Sequence, residues 1–394
     1  WYVKMLDKWE PSAKYSRLFL EIPAAGQQAK VFVNGEFVVS HEGGYSAFRA
    51  DITEKCTEEF NTIAIWCSNE KCDAIYPQSA DFTFYGGLYR GAHLICVPET
   101  HFELLHYGDL GIHAATEPAS WDKEDFMLHI RTKICGVEKD NQVIYQIFDE
   151  DGKEVASAAR PADSPDTSIP LYKPHRWDIK NSYQYTLKAL IMRNNECLDE
   201  VELKFGVRTF CCDPGRGFLI NGNCVPLRGV SRHQDKLYQG NALTKEDHIR
   251  DAELIEEIGA NTVRLAHYQH AQEFYNECDK RGFVVWAEIP FISVMNEDPL
   301  AHENCITQLK ELIYQNDHHP SICFWGISNE ILIGGISEKL VENHRELNAL
   351  AKKIDPYRLT TIAHVTMTPK DGPMHEITDV ESYNHYFGWY GGKT

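Results

Sequence analysis

The sequence predicts three units in series: a jelly-roll β-sandwich, an immunoglobulin-like β-sandwich and an incomplete (β/α)8 TIM barrel. Three observations carry this reading. Short strand-like runs without a helical period fill the first half of the chain. From residue 208 apolar runs alternate with amphipathic helical ones, at about 30 residues per repeat. The chain has 394 residues, room for two to four domains at roughly 100–200 residues each.

Residues 1–98 form the first expected unit. SRLFLEI, AKVFVNGEFVV and NTIAIWC are short and rich in β-branched and aromatic residues, as strands are. Asn34-Gly35 sits between VFV and EFVV, where a two-residue hairpin needs positive φ. Residues 99–207 continue in this style with DFMLHIRTKIC, QVIYQIFDEDGKEV and YQYTLKALIMR. Asp151-Gly152 marks a second hairpin, and this stretch suits an immunoglobulin-like sandwich.

Residues 208–394 form the third unit. Expected strands are VPLRGVSRH, NTVRLAHY, FVVWAEIPF, SICFWGISNE, LTTIAHV and VESYNHYF. Helices are expected at TKEDHIRDAELIEEIG, QEFYNECDKRG, HENCITQLKELIYQN and SEKLVENHRELNALAKKID. In the first, over 244–259, Thr244 is a candidate N-cap, Asp247 an acid in the first turn and Gly259 a stop. Fully apolar strands alternating with helices imply a parallel sheet covered by helices. Six strands are readable where a closed barrel has eight, so strands seven and eight and the residues preceding WYVKMLDKWE are expected outside this sequence.

Composition narrows the function classes. With 39 Lys+Arg against 58 Asp+Glu, the net charge of −19 disfavours nucleic acid as a partner. No run of 18 apolar residues is present, so no membrane partner is expected. The 12 Cys show no CxxC pair and no zinc-ribbon spacing. Scattered thiols suggest a reducing, cytoplasmic setting, and Cys278, Cys305 and Cys323 fall in apolar or helical patterns as small hydrophobes. His318-His319 precedes Pro320 and is expected in a solvated turn.

In a parallel barrel the chemistry sits at the C-terminal strand ends. Here those ends carry, in order, Arg232-His233, Arg264 with His267, Glu288, Asn329-Glu330, His364, and Asn384 with Tyr386. A dinucleotide fold would show a glycine-rich loop after its first strand, but GVSRHQD has a single Gly. Carboxylates, histidines, an arginine and aromatics at one barrel mouth suit sugar cleavage, which needs one carboxyl as acid and a second as nucleophile or base. Glu330 follows SICFWGISN, and apolar walls would keep it protonated near neutrality.

At these residues the chain resembles glycoside hydrolase family 2, the family of β-galactosidases and β-glucuronidases. The resemblance runs through VFVNGEFV, HEGGYSAFRADIT, DFTFYGGLYR, GFLINGNCVPLRGVSRHQD, NTVRLAHYQHAQEFYNECDKRGFVVWAEIP and HPSICFWGISNE. It implies that Glu330 is the acid/base and that Asn329 binds the sugar 2-hydroxyl. His233 and His267 resemble sugar-hydroxyl ligands, and Arg264 the residue that orients the nucleophile. Asp81 resembles an aspartate sent into the pocket by a loop of the first domain. Asn384, Tyr386 and Tyr390 match the NxYxGWY segment of the glucuronidase branch. Glu288 matches a pocket Glu that ligates magnesium in a bacterial galactosidase. Pro290 stands where that site has a His, so no metal is expected here. His364 joins the expected pocket from the fifth strand, no cofactor is expected, and the family's nucleophile would lie beyond residue 394.

The resulting expectation is a retaining exo-β-glycosidase acting on terminal β-D-galactosides through a glycosyl-enzyme. β-Glucuronidase is the alternative and β-mannosidase a weaker third. A non-catalytic carbohydrate-binding protein is the alternative of a different class. The expected partner is a β-linked sugar, and the reading leaves room for a homo-oligomer.

Overall fold

The computed structural model describes residues 1–389 apart from 13, 58 and 120–122. In the first unit an antiparallel sheet runs in the spatial order Tyr2–Leu6, Asn61–Ser68, Gln28–Val33, Glu36–Glu42. A second sheet, Phe48–Asp51, Arg17–Ile22, His93–Val97, packs against it. Leu18, Leu20 and Ile22 from one sheet meet Val31, Val33, Ile63 and Ile65 from the other. Val33 pairs with Glu36 across Asn34-Gly35, whose φ values of 52° and 83° are those of a two-residue hairpin.

The second unit is also two antiparallel sheets. Three strands, Thr167–Leu171, Phe126–Thr132 and Ile112–Pro118, face four: Glu154–Pro161, Gln142–Phe148, Tyr185–Arg193 and Glu196–Phe205. Alternate residues, such as Phe126, Leu128, Ile130 and Val143, Tyr145, Ile147, fill the space between them. Gly152, at φ 76°, turns the hairpin between Gln142–Phe148 and Glu154–Pro161.

The third unit is a parallel sheet of six strands in sequential order: Gly229–Arg232, Thr262–Leu265, Val284–Glu288, Ile322–Asn329, Leu359–Val365 and Val380–Asn384. Helices Lys245–Glu257, Gln272–Arg281, Pro299–Asn316 and Glu338–Ile354 lie between the first five strands. The first is closed by a reciprocal capping box of Thr244 and Asp247, and the second ends at Gly282 in the left-handed conformation, φ 71°. The third starts earlier than the sequence pattern suggested, because Asp298 caps it and Pro299 occupies its first turn.

Side-chain alternation divides each strand. Val263, Leu265, Val285, Ala287 and Ile362 pack outward under the helices, while Arg264, Trp286, Glu288 and Asn384 take the other parity and turn inward. Strand Ile322–Asn329 is buried throughout. A short meander, Phe210–Asp213, Gly217–Ile220 and Asn223–Cys224, covers the N-terminal end of the sheet, with Phe218 and Ile220 against Val284 and Phe324. Cys278, Cys305 and Cys323 are buried, and among the described residues no helix is long and apolar enough to cross a membrane.

Two local expectations are corrected. His318-His319 is no solvated turn: His319 is buried, bonded through Nδ1 to Asp279 Oδ2 (2.6 Å) and through Nε2 to Gln272 Oε1 (2.9 Å), with His318 packed on its ring at 4.2 Å. Helix Gln272–Arg281 supplies both partners, so tertiary packing overrides the turn chemistry of the following proline. His364 shares its parity with Ile362 and faces away from the strand-end network.

Candidate active site

Arg264 is the hub of the C-terminal strand ends. Its Nε and Nη2 each donate to one Glu288 oxygen at 3.0 Å, a bidentate pair. Nη2 also donates to Asn329 Oδ1 (2.7 Å) and Nη1 to Asn384 Oδ1 (3.0 Å). The guanidinium lies over the Trp286 ring, 4.4 Å from its centroid. Five of the six strands are thereby touched by one network or its neighbours, since His267 follows the second strand and Glu330 the fourth, while Glu330 N donates to Ala363 O of the fifth.

Glu288 is fully buried. Burial alone would push its carboxyl up, but the Arg264 cation and His267 hold it below its ordinary value. His267 Nδ1 contacts the same carboxylate. With both oxygens engaged by a guanidinium and an imidazole, Glu288 serves as the fixed negative charge of the site.

Glu330 follows the fourth strand in the left-handed conformation, φ 48° and ψ 26°, which for a non-glycine residue costs roughly 1–2 kcal/mol. The surrounding structure holds it there, as strained positions at functional sites require. Its Oε1 accepts from Asn384 Nδ2 (2.8 Å) and from the Tyr386 hydroxyl (3.3 Å). The apolar wall expected from SICFWGISN stays inside the sheet, and the carboxylate itself is half-exposed among polar partners. Asn384 Nδ2 also donates to Asn329 Oδ1 (3.0 Å), linking Glu330 to the hub. Tyr386 is 43% exposed at the rim, and its hydroxyl is raised by partial burial and by the Glu330 charge.

His233, after the first strand, lies against the Tyr268 hydroxyl (3.4 Å) and the Phe82 ring (5.0 Å). Its imidazole is pushed down by burial and by His267. Phe82 also packs on His267 at 6.0 Å, so the loop from the first unit reaches this mouth. Asp81, beside it, is exposed, and its charge bears on both His233 and Tyr386. The loop is tied down upstream, where Asn296 N donates to the Tyr76 hydroxyl (2.9 Å) and Tyr76 N to Asn304 Oδ1 (3.0 Å).

The structure thus brings together Asp81, His233, Arg264, His267, Glu288, Asn329, Glu330, Asn384 and Tyr386. It leaves His364 out: that ring is buried, bonded to Glu381 Oε2 at 2.8 Å, and touches His375 and Tyr383. Tyr390 lies outside the described residues. Sequence reasoning missed Phe82, Trp286 and Tyr268 as walls of the site. Phe82 and Tyr268 each directly follow a residue singled out, and Trp286 has the inward parity of Glu288.

These features define a class: β-sandwiches joined to a parallel βα barrel sheet whose strand ends carry a carboxylate–arginine–asparagine network. Residues 214–393 match the family model for the TIM barrel domain of glycosyl hydrolases family 2, and residues 119–208 match a second model of glycosyl hydrolases family 2. The chain belongs to glycoside hydrolase family 2. It is 36% identical to a β-glucuronidase of Bacteroides fragilis, over 97% of this chain and 56% of that protein. It is 30% identical to a β-galactosidase of Thermoanaerobacter pseudethanolicus, over 100% of this chain and 51% of that one. Among solved structures, an FMN-binding β-glucuronidase from Facaelibacterium prausnitzii L2-6 superposes with a TM-score of 0.97 at 53% identity, covering 99% of this chain and 60% of that one. The chain therefore spans little more than half the length of these relatives.

Proposed function

We propose that the full-length protein is a retaining exo-β-glycosidase with Glu330 as its acid/base. The observation that carries this is the Asn384 bridge. One amide group holds Glu330 Oε1 and Asn329 Oδ1 together and is itself fixed by Arg264. Among the described residues Glu330 is thereby positioned with Oε2 left to a leaving-group oxygen, while Asn329, His233, His267 and Asp81 line the space where sugar hydroxyls would bind. Glu330 would protonate that oxygen as the glycosidic bond breaks and then take a proton from water. Retention needs a second carboxylate about 5–5.5 Å away. Glu288 is committed to Arg264 and His267, so we assign the nucleophile to a glutamate beyond residue 394, as the family resemblance implies. Residues 1–98 are assigned to a sugar-binding jelly roll and 99–207 to an immunoglobulin-like domain that braces it.

The sequence reading placed galactosides first. The 36% and 53% identical relatives are both named β-glucuronidases, and Asn384 and Tyr386 fit the glucuronidase segment, so glucuronides take first place and galactosides second. The test is release of nitrophenol from the β-glucuronide, β-galactoside and β-mannoside by the full-length protein. Turnover of the glucuronide with retained configuration is expected. Sugar binding without turnover of any of the three would make the protein a carbohydrate-binding module instead.

A further inference from the structure

Away from the strand ends, His106, Asp109 and His113 bring three ligand atoms within 4.8 Å of one another. Asp109 Oδ2 faces both rings: His106 Nδ1 at 2.6 Å and His113 Nε2 at 3.1 Å. The other Asp109 oxygen is fixed by Gly111 N at 2.8 Å. The His113 ring is held from its far side, where Nδ1 lies 2.8 Å from Asp317 Oδ2. The group is a built, interior one: side-chain exposure is 0% for Asp109, 6% for His113, 10% for Asp317 and 22% for His106. Asp317 Oδ1 is buried without a hydrogen-bond partner among the described residues.

This arrangement offers the ligand types that a divalent cation takes. Two imidazole nitrogens and one carboxylate oxygen are a ligand set suited to zinc, with bonds of about 2.0–2.2 Å. A carboxylate on the outer nitrogen of a ligating histidine is the usual device for fixing its tautomer, and Asp317 stands in that place. Charge agrees: Asp109 and Asp317 together carry two negative charges. Arg49 and Arg358 bond the backbone carbonyls of these two residues. A cavity of about 460 Å³ lies beside this loop, lined by Gly108, Asp109 and Leu110 but by neither His106 nor His113.

We propose that His106, Asp109 and His113, with Asp317 as the outer partner of His113, form a structural zinc site that pins the second sandwich to the barrel. His113 belongs to strand Ile112–Pro118 and Asp317 caps the end of helix Pro299–Asn316, so one ion would tie two units. Asp317 precedes strand Ile322–Asn329, whereas Glu330 follows it. The site therefore lies at the opposite end of the barrel from the catalytic mouth and takes no part in hydrolysis. The sequence reading expected no metal from the missing CxxC pair and from Pro290 near Glu288, and H-x2-D-x3-H across a glycine turn falls under neither test.

The test uses the untagged full-length protein, stripped with chelator and titrated with zinc or cobalt(II). Expected are uptake of one equivalent at this site, a rise in Tm with zinc, and cobalt d–d bands without the thiolate charge-transfer band that the cysteines would give. His106→Ala, at the most exposed ligand, should fold, lose the cobalt bands and the zinc-dependent Tm rise, and keep its glycosidase activity. Asp317→Asn should weaken zinc roughly 10–100-fold. The proposal is overturned if the folded protein takes up no metal and shows no Tm shift, leaving a proton-bridged His113, or if His106→Ala retains the cobalt spectrum.

Discussion

Arg264 is the side chain on which the geometry of the mouth depends, because it makes contacts to three strands at once. Arg264→Met keeps the stem but leaves Glu288 buried without its cation. Removing one partner of a buried pair costs about 3–5 kcal/mol, to be read from denaturant unfolding. Arg264→Met with Glu288→Gln should recover part of that loss, since the second change removes the orphaned charge. Glu330→Gln is the contrasting case. The residue is half-exposed and keeps an acceptor for Asn384 and Tyr386, so stability should hardly change. Hydrolysis of glycosides with poor leaving groups should fall about 10²–10⁴-fold, and nitrophenyl substrates should lose less in the glycosylation step. Equal losses across leaving groups, with that step rate-limiting, would remove Glu330 from the acid/base role. Arg264, Glu288, Asn329 and Glu330 were legible because polar groups ending apolar strands have few other reasons to be there. His364 was misplaced because strand parity was not applied: two residues from the helix-facing Ile362, it had to face the helices as well.

At the scale of elements, local chemistry was the most legible part. Asn34-Gly35, Thr244 with Asp247, and Gly259 all sit where their φ preferences and hydrogen bonds place a turn, a start and a stop. Close approach between strands was not legible, because it depends on neighbours in space. Gly326 shows this: a Cβ there would come within 2.3 Å of Trp286 Nε1 and 2.5 Å of Glu288 Cβ. Gly326→Ala should therefore cost about 1–3 kcal/mol by overpacking and lower kcat/KM by displacing Glu288, with near-wild-type turnover counting against that coupling. The docking of helix Lys245–Glu257 on the first strand has a pH signature. Arg232 pairs with Asp251 (2.6 Å) and points at His270 Nδ1 (2.9 Å) and His248 Nδ1 (3.1 Å), so both rings must present lone pairs. Burial and the Arg232 charge push His248 down to about 3, and His270 well below its ordinary value. In the unfolded chain both titrate near 6.5. Their contribution to stability is thus complete above pH 6.5 and is lost as pH falls from there toward the folded value, because the unfolded state binds protons first. A decline of about 1–2 kcal/mol per histidine is expected between pH 7.5 and 5. His248→Gln should flatten the slope.

At the scale of the whole molecule, the first sandwich is joined to the barrel by a helix face that the sequence disguises. Asn304, Gln308, Glu311 and Gln315 recur at spacings of four, three and four in helix Pro299–Asn316, which in an isolated helix reads as a solvated stripe. All four are buried, because the partner surface is backbone and polar side chain, not hydrocarbon. Asn304 bonds Tyr76 N (3.0 Å) and Glu42 O (2.9 Å), Gln308 bonds Tyr76 O (3.1 Å), Glu311 bonds His41 (2.8 Å), and Gln315 bonds Ala47 N and O (3.1 and 2.9 Å). Such a face gives register more than energy: each neutral bond is worth about 0.5–1.5 kcal/mol net, whereas an orphaned buried partner costs about 1–3. The register matters because Tyr76 anchors the loop that carries Asp81 and Phe82 to the mouth. Asn304→Ala in the full-length protein should cost about 1–3 kcal/mol by freeing Tyr76 N and Glu42 O. It should also raise KM for the sugar, since Asp81 and Phe82 lose their fixed approach to His233. The kcat for an activated nitrophenyl glycoside should change little, because Glu330 and its partners belong to the barrel. Loss of stability with unchanged KM would show that the sandwich braces the barrel without shaping the pocket, and the role assigned to Asp81 would then fall.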